Sequence, residues 1–137
     1  MDFAEFIDNQ FPIVIYRVNP IEPTLAQYES YITGQVTYMK SLLEKKQKAV
    51  VIFDYTHLKF LTSDMRIKRG QFVKDNDVLL QKTIHHIVIM APSIVARMMI
   101  QGVFLVKKPT VPSSVVATMA EAMAMASEQC KKMQSGK

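Results

Sequence analysis

Two short groups of polar side chains in the middle of the chain have residue types that can do chemistry. Asp54 ends the apolar run VVIFD, and Thr62-Ser63-Asp64 follows at a predicted helix start. An aspartate that ends a buried strand can accept a phosphoryl group or bind a metal ion, or it can accept N–H groups of the next loop. A hydroxyl at a helix N-terminus can be phosphorylated or can cap the helix. We favour the structural role at Asp54.

The histidines do not form a recognisable catalytic or metal site. His57 lies in the loop after Asp54, and a hydrolase that unites His57 with Ser63 is the catalytic alternative, although loop spacing does not fix such geometry. His85 and His86 are consecutive in a predicted strand, so they point to opposite faces and cannot share one ion. We therefore predict no enzyme activity, no metal and no cofactor.

Apolar patterns alternate between strands and helices along the chain. Strands are predicted at 11–18, 49–55, 84–90 and within 111–117, and helices at roughly 24–45, 62–81, 93–106 and from Thr118 onward. A short amphipathic lead-in precedes the first strand. The alternation predicts an α/β fold with a mostly parallel, four-to-five-stranded sheet flanked by four helices.

The second of these helices has a predicted inner stripe and a charged outer face. Met65, Phe72 and Leu79 form the inner stripe at helical spacing. The charged residues are expected to lie mostly outside; they are Arg66, Lys68, Arg69, Lys74, Asp75 and Asp77.

The composition indicates one globular domain over residues 1–137, with its core at about 11–130. Hydrophobic residues make up 49% of the 137-residue chain, which suits a packed domain. No apolar stretch reaches the roughly 18 residues of a membrane helix. The acidic N-terminal residues argue against a signal peptide, and Cys130, the single cysteine, excludes an internal disulfide. A cytoplasmic location is expected.

The charge balance is basic, with 17 lysines and arginines against 12 acidic residues and a net charge of +5. No carboxylate lies between Asp77 and Glu121, whereas four cations do. The basic residues form no dense run with interleaved aromatic residues, so nucleic-acid binding is not favoured. Oligomeric state is not predicted.

One stretch resembles a receiver domain of bacterial signalling. VIFDY (51–55) is similar to the receiver phosphorylation strand, and VFLVKKP (103–109) is similar to its Lys-Pro segment. A receiver also has an acidic pair after its first strand, which holds a magnesium ion. Val18-Asn19-Pro20 occupies that place here, so the resemblance implies at most a degenerate receiver-like signalling domain.

Four further segments are informative together: FPIVIYRV, VVIFDYTHLKFLTSDM, HIVIMAPSIVARMMIQGVF and VVATMAEAMAMA. Their succession resembles the STAS fold of anti-sigma-factor antagonists, closest to an uncharacterised branch of small bacterial STAS-like proteins. The resemblance covers most of residues 11–130. Gly102–Phe104 falls near the family's Gly-Leu turn, and Thr118–Ala122 resembles the start of its closing helix.

The resemblance also leads to a prediction about the residue whose phosphorylation switches these antagonists. The segment Phe60–Asp64 falls where the antagonists have Phe, an apolar residue, Asp, Ser and the phosphorylated Ser or Thr. Asp64 therefore occupies the phosphorylated position, and a serine kinase cannot modify it. The switch is expected to be lost, with shifted phosphorylation at Ser63 or Thr62 as the alternative.

The resemblance implies a non-enzymatic regulatory module that binds a protein partner. The surface expected to bind this partner comprises Asp54, His57, Ser63, Asp64 and Arg66. Ser93 and Arg97 form an alternative anion site, because a helix start and a cation can hold an anion together.

The competing hypothesis is a domain that binds a small apolar or anionic molecule. It predicts an apolar cavity among Met90, Met98, Met99, Phe104 and their neighbours. The interaction hypothesis instead predicts a filled core and an exposed apolar patch.

Overall fold

The computed structural model describes residues 2–135, apart from the side chain of Val106. Met1, Gly136 and Lys137 belong to the domain predicted for residues 1–137, and they lie outside the described residues.

Five strands and five helices are present in the described part of the chain. In chain order they are β1 (Ala4–Gln10), β2 (Ile13–Val18), α1 (Leu25–Glu44), β3 (Ala49–Asp54), α2 (Ser63–Asp75), α3 (Asp77–Thr83), β4 (Ile84–Met90), α4 (Ile94–Val106), β5 (Ser113–Val116) and α5 (Met119–Gln134). The predicted α/β class and mostly parallel sheet are confirmed.

The five strands form one sheet in the sequential order β1-β2-β3-β4-β5. β1 pairs antiparallel with β2, and every later pair is parallel. Crossover connections between parallel strands are right-handed. When successive connections all move to the next strand in the same direction, their helices lie on the same face of the sheet. Helices α1 to α4 therefore share one face of the sheet, and α5 covers the other face.

The core divides accordingly into two clusters. The larger cluster packs one face of β2, β3 and β4 against α1, α2, α3 and α4, and it includes Tyr28, Phe53 and Phe72. The smaller cluster packs Val50, Ile52 and Val88 against the small side chains of α5. All six residues of β3 are buried, as expected for a strand that is covered on both faces.

Hydroxyl side chains begin four of the helices. Thr24, Thr62, Ser93 and Thr118 each accept a hydrogen bond from a backbone N–H in the first turn of the following helix. These bonds satisfy N–H groups that have no partner within a helix, which is why the predicted helix starts agree with the observed ones within a residue or two.

The structure differs from the predicted elements at two places. The lead-in is strand β1, which pairs along β2 and buries Phe3 beside it. The helix predicted over 62–81 is two helices, because Asn76 leaves helical geometry at φ −114° and ψ 18° and its amide donates to the Phe72 carbonyl. Residues 2–135 thus contain five helices where four were expected. Gly102 and its two successors lie inside α4 and form no turn.

Within residues 2–135, no helix combines the length and the apolar character that crossing a membrane requires.

Candidate functional site

Asp54 lies at the carboxyl end of β3, and its carboxylate is engaged within the chain. Its Oδ1 accepts the backbone N–H of Thr56 at 3.0 Å and the Thr56 hydroxyl at 2.6 Å. Its Oδ2 accepts Nε of Arg17, the residue opposite on β2, at 3.1 Å. Asp54 itself is buried. These bonds hold the loop after β3, which is the structural role favoured from the sequence.

The Thr62-Ser63-Asp64 group begins α2, as predicted. The Thr62 hydroxyl is the cap and accepts the Met65 N–H at 3.3 Å, whereas Ser63 and Asp64 are exposed. Ser63 Oγ accepts a hydrogen bond from Arg66 Nη2 at 3.1 Å. Among residues 2–135, no hydrogen bond joins Ser63 to His57, which is exposed in the preceding loop.

Ser93 and Arg97 lie at the start of α4, and both make bonds within their own segment. Ser93 Oγ accepts the Ala96 N–H, and Arg97 Nε donates to the Ala91 carbonyl at 3.0 Å. The arginine therefore helps to close the turn between β4 and α4.

Apolar side chains project into solvent from the neighbouring helices α2 and α4. Ile94, Met98 and Leu105 recur on one side of α4, and Leu105 is 89% exposed. Phe60 is also exposed just before α2, where the Arg66 guanidinium lies 5.7 Å from its ring centre. The predicted partner surface thus lies beside apolar groups that no described residue covers.

A different charged residue, Arg69, occupies the interior. The expectation that Arg69 lies outside is wrong, because only 9% of the residue is exposed. It falls at i+4 from Met65 and i−3 from Phe72, so it shares the buried stripe of α2. The spacing of Arg69 from Met65 and Phe72 could have indicated its burial. The charge of the side chain led to the opposite expectation.

Aromatic rings surround the Arg69 guanidinium. Its central carbon lies 4.6 Å from the ring centre of Phe72, 5.0 Å from that of Phe53 and 5.7 Å from that of Tyr31. These distances permit cation–π attraction, which strengthens when the cation is removed from water. Among the described residues, no carboxylate lies within ion-pair distance of Arg69.

Two further polar groups lie beside Arg69. Arg69 Nη1 donates to Gln35 Oε1 at 2.6 Å. An arginine can only donate, so this bond fixes the Gln35 amide with Nε2 facing away. Gln35 Nε2 is buried and has no hydrogen-bond partner among the described residues. The Tyr31 hydroxyl is also buried, and Tyr55 is the polar side chain close enough to bond with it and raise its pKa.

These groups line a cavity of about 80 Å³ between the sheet and the α1–α4 layer, which we call the Arg69 cavity. Its wall is otherwise almost entirely apolar, and it extends from Leu58 after β3 to Ile84 at the start of β4 and Pro109 after α4. Of the residues predicted for a cavity, Met99 and Phe104 line it, whereas Met98 is exposed and Met90 lies elsewhere in the core. The lining residues are spread along the length of the strands.

The protonation states leave this cavity with one positive charge. Burial raises the pKa of Tyr16, Tyr28 and Tyr31 well above the ordinary value of 10.0, so these hydroxyls stay neutral. Burial acts to lower the pKa of Arg69, but a guanidinium is not deprotonated in proteins at neutral pH. At neutral pH the site therefore holds a guanidinium cation, neutral hydroxyls and an amide.

The arrangement is suited to binding an anion in apolar surroundings. It offers hydrogen-bond donors and a cation, and it has no carboxylate or histidine that could serve as a base beside them. Among residues 2–135, no group of three or more His, Cys, Asp or Glu side chains is placed to hold a metal ion.

Comparison with known proteins does not add a relative. No family model, no curated protein and no solved structure matches the chain.

Proposed function

We propose that this chain is a binding domain for a small apolar molecule that carries an anionic group, and that the ligand occupies the Arg69 cavity. The observation that carries the proposal is a buried cation that faces a cavity together with the unpaired Gln35 amide and the buried Tyr31 hydroxyl, with no described carboxylate within ion-pair distance. Polar groups of this kind in an otherwise apolar cavity are typical of small-molecule sites.

The energetics support a role for Arg69 beyond packing. A buried guanidinium loses several kcal/mol of hydration, and a hydrophobic side chain of similar volume would fill the same place at lower cost. Cation–π contacts return about 0.5–2 kcal/mol each. An anionic ligand would supply the missing counter-charge, which explains why a cation without an acidic partner is kept in this core.

Thermal unfolding in the presence of a compound panel tests the proposal. The panel comprises small aliphatic carboxylates, phosphates, alcohols and amines, applied to the wild type and to the variants Arg69→Met and Lys74→Met. Lys74 is exposed on the same helix and lies outside the cavity, so its variant matches the loss of charge. We expect anionic compounds to raise the unfolding temperature of the wild type and of Lys74→Met only, because a ligand stabilises the state that it binds.

Two results would contradict the proposal. One is a panel in which no compound shifts the unfolding temperature of the wild type. The other is an equal shift in Arg69→Met, which would mean that the compounds bind elsewhere.

A second function is favoured by the exposed side chains on α2 and α4. A regulatory module, as the resemblance to STAS-like anti-sigma-factor antagonists implies, would bind a protein partner through His57, Ser63, Asp64 and Arg66, with Asp54 holding the loop behind them. Exposed apolar residues with nearby cations suit a partner surface that is apolar and acidic. The phosphorylation switch would be absent, since Asp64 occupies its place.

Variants with altered apolar surface test this second function. Replacing Met98 and Leu105 with serine is expected to abolish a saturable, salt-sensitive complex with a partner from the native host. Val78→Ser, at an apolar position on α3 that is 66% exposed, serves as the control. Phosphate on Ser63 or Thr62 in protein isolated from that host would contradict the loss of the switch.

A further inference from the structure

We infer that the ligand of the Arg69 cavity is a short aliphatic carboxylate, whose oxygens are bound by Arg69, Tyr31 and Gln35. This inference rests on the proposed ligand-binding function and names the class of ligand.

The polar groups of the cavity match a head group that only accepts hydrogen bonds. One N–H group of Arg69 donates to Gln35, and the other N–H groups of its planar guanidinium remain available as donors. Tyr31 adds a hydroxyl, and Gln35 adds an amide N–H₂ whose other end is already committed to Arg69. An ionised carboxylate has two oxygens that accept a pair of bonds from one arginine and further bonds from neutral donors. An amine or ammonium group would oppose the cation.

The single positive charge of the cavity favours a ligand that carries a single negative charge. Arg69 is its only cation among the lining residues, and the tyrosines that surround it remain neutral. A carboxylate therefore neutralises the site. A phosphate monoester carries about −1.5 to −2 charges and would leave an excess negative charge in apolar surroundings, which is costly.

The volume of the cavity selects a small ligand. Its 80 Å³ is about half of the roughly 150 Å³ of an engineered apolar cavity that binds benzene. A carboxylate and a few methylene groups fill this space, whereas an aromatic ring is too large for it. The flexible Met39 and Met99 side chains line the wall, so modest lengthening of the chain can be accommodated by their movement.

Isothermal titration calorimetry with four unbranched compounds of four carbon atoms each tests the head group. The compounds are butyrate, 1-butanol, butylamine and butyl phosphate, each titrated into the full-length protein at neutral pH. We expect one butyrate to bind per chain, the alcohol and the phosphate to bind at least tenfold more weakly, and the amine not to bind.

A second titration series tests the chain. Affinity is expected to rise about fourfold for each methylene added from acetate to butyrate, because each buried methylene contributes a near-constant amount of binding free energy. Pivalate, a branched acid with one more carbon than butyrate, is expected to bind more weakly than butyrate.

Variants link the binding to the named side chains. Arg69→Met is expected to abolish butyrate binding, and Tyr31→Phe, which removes one hydroxyl, is expected to weaken it about tenfold. Lys74→Met leaves it unchanged. Should Arg69→Met fail to fold, Tyr31→Phe and Gln35→Leu still test the other two contacts.

The outcomes separate this inference from the function on which it rests. Equal binding of 1-butanol and butyrate would overturn the carboxylate assignment and leave an apolar ligand site. Tighter binding of butyl phosphate would overturn it in favour of a phosphate ligand. If none of the four compounds binds and no compound of the thermal panel shifts the unfolding temperature, both the carboxylate assignment and the proposed ligand-binding function are overturned. Butyrate binding that survives Arg69→Met and Tyr31→Phe would place the ligand outside the Arg69 cavity.

Discussion

At the scale of single residues, Arg69 is the least expected feature of this protein. Its guanidinium is placed against aromatic rings and donates to Gln35, without a carboxylate nearby among the described residues. Burying a charge without a counter-charge is unfavourable, so the free energy of unfolding should not depend on keeping it. If Arg69 binds a ligand, its removal will abolish ligand binding but will preserve or raise the free energy of unfolding, as is common for functional residues.

The first prediction concerns the stability of variants at Arg69 and Gln35. We expect Arg69→Met alone to change the free energy of unfolding by less than about 1 kcal/mol, since relief of the buried charge offsets an unpaired Gln35 oxygen. The double variant Arg69→Met/Gln35→Leu removes both polar groups and should be more stable than the wild type by about 1–3 kcal/mol. Urea unfolding at neutral pH measures both values.

The opposite result would assign Arg69 to the fold. A double variant that is destabilised by more than about 2 kcal/mol would mean that the cation–π contacts with Phe53, Phe72 and Tyr31 outweigh the burial of the charge. The ligand proposal would then lose its energetic support.

At the scale of elements, the helix starts were predictable because each depends on a few adjacent residues. A hydroxyl that accepts an N–H from the first turn is a local device, and Thr62 and Thr118 serve in this way at the positions expected. The break between α2 and α3 was not predicted. Asn76 donates to the Phe72 carbonyl through both its backbone and its side chain, and apolar periodicity alone does not indicate this turn.

The second prediction tests the cap of α2. We expect Thr62→Ala to lower the free energy of unfolding by about 1 kcal/mol, because the Met65 N–H loses its acceptor. Thr62→Ser keeps the hydroxyl and should stay within a few tenths of a kcal/mol of the wild type. Chemical denaturation of the three proteins measures the difference. Equal losses in both variants would show that the threonine methyl group, and not the hydroxyl, stabilises this helix start.

At the scale of the whole molecule, the sheet order explains where the candidate site lies. The strands follow one another in sequence, so the order does not reverse among the parallel strands β2 to β5. Open α/β sheets bind ligands at a crevice where the order reverses. The strand order provides no such crevice, and the polar groups of the candidate site lie in the layer between the sheet and four helices that share one face.

The third prediction follows from the buried tyrosines. The pKa of Tyr16, Tyr28 and Tyr31 is raised in the folded protein above the ordinary value of 10.0, by burial first. The folded state thus keeps protons that the unfolded state releases above about pH 10. The resulting stability is complete below that pH and is lost as the pH rises, by up to about 1.4 kcal/mol per pH unit for each tyrosine.

Denaturation at a series of alkaline pH values measures this loss. Tyr28→Phe is the informative variant, because it removes one ionisable group from the interior, where only 2% of Tyr28 is exposed, and keeps its ring. Its stability should fall less steeply with pH than that of the wild type. Tyrosinate absorbance that develops below the unfolding transition would contradict the neutral state assigned to these hydroxyls.

The sequence by itself determined the α/β class, the mostly parallel sheet, the caps of the helices and the structural use of Asp54. Each follows from local patterns, such as buried apolar runs, hydroxyls before helices and an aspartate before a loop. The tertiary structure decided that Arg69 is inside, that Gln35 and Tyr31 meet it and that a cavity remains between them. These residues lie on α1 and α2, and no local pattern relates two helices that β3 separates along the chain.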